Sequence, residues 1–173
     1  MRIGNALPGV MSAAEANALS ADAFVARFGM VFEHSPWVVE RAAACRPLTD
    51  LQSGLMAVVH EATPSEQLAL IRAHPELAGK AAIDGTLTEA SAAEQASAGL
   101  DRMTPAEFER FHALNAAYRT RFAMPFIVCV RLTDKAGILA AMEARLGNDQ
   151  ESEVATAIEQ IGEIVRLRLE TLA

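Results

Sequence analysis

The chain has 173 residues, a length that suits one domain and buries roughly 70% of its unfolded surface without a disulfide or metal staple. Hydrophobic residues make up 51% and charged residues 21%, ordinary for a soluble globular protein. The formal net charge of -7 argues against a nucleic-acid or anionic-membrane partner, because both call for a basic surface. Of the 15 basic residues only Lys80 and Lys135 are lysines, which leaves few candidates for Schiff-base chemistry. Cys45 and Cys129 lie in apolar stretches without CxxC spacing and read as small reduced core residues. No run of 18 apolar residues occurs, the N-terminus has no secretory pattern, and the closing Thr-Leu-Ala is not a peroxisomal signal. A cytoplasmic location is the expectation.

In chain order, nearly every segment reads as helix. Ser12 or Ser20 can cap short opening helices, the second carrying Phe24, Val25, Phe28 and Val31. Pro36 starts a helix that runs through Trp37, Val38 and Ala42 to about Cys45. Asp50 caps a helix with Leu51, Leu55, Val58 and Val59 on one side. Pro64 opens the next, in which Leu68, Ile71 and Arg72 lead to His74, and Pro75 ends it. Thr86 and Glu89 predict a capping box for a helix to about Gly99.

Thr104-Pro105 opens a long helix with Phe108, Phe111, Leu114, Asn115 and Tyr118 spaced for one face. The stretch Phe126-Ile127-Val128-Cys129-Val130 is the one strand-like run, or else the first turn of something other. Asp134 caps a helix ending at Gly147, and the last helix covers 151 to 172. The expected fold is all-α, one domain over 1–173 of eight or nine helices.

The last helix holds an anomaly. Val154, Ile158, Ile161, Val165, position 168 and Leu172 follow each other at steps of four and three, the period of a buried face, yet position 168 is Arg168. A buried guanidinium needs an anion. Either the core supplies a carboxylate, or a pocket there receives an anionic ligand, or the head snorkels to water over an apolar stem.

Three further places can carry chemistry. His74-Pro75-Glu76-Leu77-Ala78-Gly79-Lys80 puts an imidazole at a helix break, where it can exchange a proton near neutral pH or simply bond a free carbonyl. Ser91, Glu94 and Gln95 share one helix face among alanines, which leaves room for a ligand or marks a solvated face. Residues 126–130 offer backbone groups only, and otherwise form core. His34, His60 and His112 have no metal-ligand spacing, and neither a phosphate loop nor a GxSxG elbow occurs.

Taken together and in this order, these elements resemble the 2-oxo-4-hydroxy-4-carboxy-5-ureidoimidazoline (OHCU) decarboxylases. The motifs are Phe32-Glu33-His34-Ser35-Pro36-Trp37, the 74–80 run, Ser91-x-x-Glu94-Gln95 with Gly99-Leu100, Phe111-x-x-Leu114-Asn115-x-x-Tyr118, Pro125-Phe126-Ile127 and Arg166-Leu167-Arg168-Leu169. The likeness spans about residues 20–172. It implies an all-α homodimeric carboxy-lyase that needs no cofactor or metal and converts OHCU to (S)-allantoin, the last step from urate to allantoin. The family's catalytic histidine falls on His74, its glutamate on Glu94, and its active-site arginine on Arg168 rather than Arg166. Its substrate contacts fall on Pro75, Ser91, Gln95 and the backbone of Phe126, Ile127, Val128, Cys129 and Val130, chiefly Ile127. Trp37 is expected to fill core and Ser35 to cap a helix. No transthyretin-like extension is present, so the preceding hydrolase step is expected on another protein.

The chemistry suits these residues. Loss of CO2 leaves an electron pair that many decarboxylases pass to pyridoxal phosphate or thiamine, whereas OHCU carries its own C=N sink beside the reacting carbon. Two other classes compete. A helical interaction module explains the all-α pattern but neither the polar trio nor Arg168, and a related lyase or hydrolase of another ureido ring explains both.

Overall fold

A computed structural model describes residues 10–172, so the domain expected over 1–173 extends past the described residues at both ends. Among the described residues there are ten α-helices, one 3-10 turn and no strand. No helix among them is long and apolar enough to cross a membrane. They form two compact units. One holds the residues up to Gln67 together with those from Gly162 on, and the other is Leu68–Ile161.

The first unit contains α1 (Ala13–Ala18), α2 (Ala21–Phe28), α3 (Trp37–Ala44), α4 (Leu51–Glu61), the start of α5 (Pro64–Arg72) and the C-terminal part of α10 (Gln150–Thr171). Its helices begin where local chemistry says they should. Ser12, Ser20 and Asp50 each accept the backbone N–H three residues on, a cap worth about 1 kcal/mol. Thr63 and Glu66 form a further capping box ahead of α5. α2 packs on α3 and α3 on α4, around Phe24, Phe28, Val39, Ala42, Leu55 and Val59.

Three expectations fail here. Trp37 is only half-buried, its ring covered by the Arg41 guanidinium 4.6 Å from the centroid. Ser35 is buried but makes no side-chain cap; Pro36 is the N-cap of α3, and its fixed φ already suits a helix. Cys45 is exposed, because it sits at the C-terminal end of α3 rather than on its buried face.

The second unit contains the end of α5, α6 (Lys80–Asp84), α7 (Glu89–Ser97), α8 (Pro105–Phe122), the 3-10 turn Val130–Leu132, α9 (Lys135–Arg145) and the start of α10. α8 packs on α9, and the 3-10 turn packs on α7. Tyr118 is fully buried, with Phe122 at 4.7 Å and Phe126 edge-on at 5.3 Å. Phe126–Val130 forms no strand, and the chain runs from it into the 3-10 turn.

The short α6 is a feature that periodicity did not predict, and it moves the next cap. Gly85 ends α6 in the left-handed region (φ 69), and the Thr86 N–H closes that end on the Ala81 carbonyl at 2.9 Å. Thr86 is therefore not the cap of α7. Thr88 is, accepting the Ser91 N–H at 3.2 Å.

Candidate functional site

Within the second unit the 74–80 loop is held by more groups than a surface loop requires. His74 is buried, and its Nδ1 lies 2.9 Å from the Leu70 carbonyl oxygen one helical turn back. A carbonyl oxygen can only accept, so Nδ1 carries a proton in this bond. Asn115 on α8 donates to the Leu77 carbonyl at 2.8 Å. The Ala78 N–H donates to Gln95 Oε1 on α7 at 3.0 Å. Arg119 pairs with Glu76.

Ala78 adopts φ 51, a conformation uncommon without glycine. A Cβ on Gly79 would lie 2.7 Å from the Glu76 Cβ, so the next position accepts only glycine. Strain of this kind persists where surrounding contacts over-determine it.

α7 presents the polar trio as its spacing predicts. Ser91 and Gln95 are buried and Glu94 half-buried, while Ala92 and Ala93 are exposed. This is not a solvated polar face. The 3-10 turn packed on α7 brings the end of the 126–130 segment to the same helix. That segment is fixed by a buried network. Arg145 donates from Nη1 to the Ile127 carbonyl at 2.6 Å and from Nε to Glu153 at 2.8 Å, and its guanidinium lies 4.2 Å from the Phe126 ring centroid. Tyr118 donates to the same Glu153 at 2.6 Å, and Asn148 at 2.9 Å. Gln160 accepts the Cys129 N–H at 2.9 Å. Burial first, then the neighbouring Glu153 carboxylate, pushes the Tyr118 phenol far above its ordinary value.

A cavity of about 560 Å³ flanks α7, walled mainly by apolar groups that include Ala78, Ala82, Ala92, Ala96 and Phe108, with Gln95 also lining it. His74, Ser91 and Glu94 are not in its wall. Pro75 and Val128 are half-buried, and Phe126, Ile127, Cys129 and Val130 are buried.

Arg168 belongs to the first unit. It is 7% exposed, so it does not snorkel, and it has a carboxylate partner. Nη1 donates to Glu33 Oε2 at 2.9 Å and to the Val31 carbonyl at 3.3 Å. In the sequence Glu33 stands out only as part of a motif, and Arg145 and Glu153 belong to none. Glu153 was legible in principle, since it precedes Ala157 and Ile161 by one and two turns on a buried face. His34, His60 and His112 are exposed, and no group of three or more potential metal ligands occurs among the described residues.

The second unit thus holds a buried imidazole bonded at Nδ1, a helix face bearing hydroxyl, carboxylate and amide, and a backbone segment held by a buried network. Residues 17–170 match the family described as OHCU decarboxylase, and the match runs through both units. The chain is 41% identical over 158 residues to the OHCU decarboxylase of Haloferax volcanii, covering 90% of this chain and 92% of that one. The chain belongs to the OHCU decarboxylase family. Its fold is similar to that of a crystal structure of (S)-allantoin synthase, with TM-score 0.70, 27% identity, 94% of this chain and 54% of that one covered. It is also similar in fold to an OHCU decarboxylase crystallised in the presence of (S)-allantoin, with TM-score 0.66, 18% identity, 84% of this chain and 96% of that one covered.

Proposed function

We infer that this chain decarboxylates OHCU to (S)-allantoin, closing the conversion of urate to allantoin. The observation that carries the reading is His74, a buried imidazole with Nδ1 tied to Leu70, inside a loop and a family match that cover the same residues.

The reaction needs little from the protein beyond placement. The C–C bond to the carboxylate breaks and its electron pair forms a ring C=C while the C=N pair moves onto the ring nitrogen, which takes a proton, releasing CO2 and leaving a neutral enol. The hydroxyl proton then departs, and a proton is added to the adjacent ring carbon. In this proposal His74 Nε2 takes or relays a proton, and Glu94 bonds the substrate hydroxyl or orients His74. Arg168 receives the carboxylate through paired hydrogen bonds. Ser91, Gln95, Pro75 and the Ile127 backbone hold the ureido group and ring amides. A proton delivered from one side sets the product's handedness.

Circular dichroism during breakdown of freshly generated OHCU tests this. The wild type should give a fast optical signal, whereas spontaneous decay gives racemic product. His74→Ala and Glu94→Ala should lose about 10²–10⁴ of the rate while staying folded. A folded wild type indistinguishable from the blank refutes the activity, and a fully active His74→Ala refutes that residue's role.

The chain is further proposed to work as a cytoplasmic homodimer. Native mass in the cytosolic fraction of its source cells should be twice 18.5 kDa. A monomer, or absence from that fraction, overturns this.

A further inference from the structure

One peptide group in the second unit is held at both ends. Glu76, Leu77, Ala78 and Gly79 form a turn, closed by the Gly79 N–H on the Glu76 carbonyl at 3.3 Å. Its central peptide joins Leu77 to Ala78. The carbonyl end accepts from Asn115 Nδ2 on α8 at 2.8 Å, and the N–H end donates to Gln95 Oε1 on α7 at 3.0 Å, both bonds buried. Turns of types I and II differ by a half-turn of this central peptide, and the third residue has a negative φ in type I and a positive one in type II, where glycine is favoured. Ala78 holds φ 51 there. Left to local preference, an alanine takes the negative φ. The two side-chain amides therefore select the rarer state. Asn115 is 5% exposed and no protein group meets its buried Oδ1, so the one bond it donates is what its amide contributes.

We propose that Asn115 is a positioning residue for substrate recognition, acting through the Leu77–Ala78 peptide on the amide of Gln95. This rests on the reading that Gln95 contacts the amides of the substrate. The chain of bonds has a direction. Asn115 donates to the carbonyl, so the N–H of the same peptide faces α7 and takes Gln95 Oε1. The end of the amide turned away from the loop is then Nε2, which donates and does not accept. Gln95 also lines the cavity beside α7. The substrate group that fits this end is a carbonyl oxygen, of the ureido group or of the ring, rather than an N–H. With the peptide turned over, the Leu77 carbonyl would face Gln95, draw its NH2 inward and leave Oε1 outward, and the preference would reverse. Asn115 thus fixes the polarity of a contact that it does not itself make, before the ligand arrives.

A double-mutant cycle tests this. KM and kcat for OHCU, and inhibition by (S)-allantoin, which keeps the ureido group and a ring carbonyl, are measured for wild type, Asn115→Leu, Asn115→Ala, Gln95→Ala and the two double variants. Far-UV circular dichroism and thermal unfolding are recorded on each. Asn115→Leu, close to asparagine in shape but unable to donate, should raise KM for OHCU about fivefold to tenfold, the scale of one hydrogen bond, and weaken (S)-allantoin by a similar factor. kcat should fall less than KM rises. In the Gln95→Ala background the same substitution should change KM by less than about twofold, because the group it orients is gone. A residue that only packs would act equally in both backgrounds. If Gln95→Ala raises KM but folded Asn115 variants keep the wild-type value, or if the two effects simply multiply, the positioning role falls and the reading of Gln95 stands. If neither Asn115 variant folds, the residue is structural and the proposal falls. If Gln95→Ala leaves KM and inhibition unchanged, the reading itself fails and takes the proposal with it.

Discussion

Two buried arginine–glutamate pairs stand among the described residues, and they are built differently. Arg145 and Glu153 stand eight residues apart, and their contacts include Tyr118, Asn148, the Ile127 carbonyl and the Phe126 ring. Arg168 and Glu33 stand 135 residues apart, beside a strained turn at His34. The first pair fixes a stretch of backbone, because one of its guanidinium nitrogens is committed to a carbonyl of the 126–130 segment. The second holds the Arg168 guanidinium through Glu33 and the Val31 carbonyl. A buried ion pair adds little net stability in itself, so its worth lies in what it holds in place. The same two residue types therefore serve a scaffold in one unit and, on the reading above, a ligand in the other.

The comparison breaks most sharply at Glu153. Glu153→Ala strands the buried Arg145 cation and should destabilise the protein by about 3–5 kcal/mol, read by urea unfolding. Arg168→Gln, by contrast, should register in KM for the carboxylate-bearing substrate, on the reading proposed above. A Glu153→Ala variant within about 1 kcal/mol of wild type would mean that the network is not a scaffold.

A smaller effect sharpens the same contrast. Tyr118 is the chain's single tyrosine, so tyrosinate absorbance reports on it alone. Its folded pKa is raised, so its stabilising contribution is complete below the unfolded value of about 10 and is lost as pH climbs toward the folded one. The folded protein should show no tyrosinate near pH 10 and should lose stability above it. Tyr118→Phe should cost about 1 kcal/mol at neutral pH and flatten that alkaline slope. A folded-state midpoint near 10 would contradict the buried bond to Glu153.

Much of the architecture was legible. Caps at Ser12, Ser20, Asp50, Thr104 and Asp134 stand where the sequence places them, because a cap is a bond across three residues and needs nothing distant. Thr86 misled for a related reason. It precedes an acidic residue at the capping-box interval, but α6 uses its N–H for its own ending, and Thr88 two residues on becomes the cap. The polar trio of α7 was also visible as a face, and its burial follows from what packs on that helix.

By itself, then, the sequence determined most of the helices and most of their starts, though not α6 or the cap of α7, together with the buried stripe of the last helix and the motifs that carry the family. Those depend on neighbours within one or two turns and on residue order. Only the tertiary structure decided that Arg168 meets Glu33 out of 22 acidic residues, that Ile127 is held by Arg145, and that the His74 loop leans on Gln95 and Asn115. Each of these joins groups far apart along the chain or across an irregular turn. No periodicity encodes such a meeting, because it is settled by where the backbone travels and by the demand that every buried charge and carbonyl find a partner.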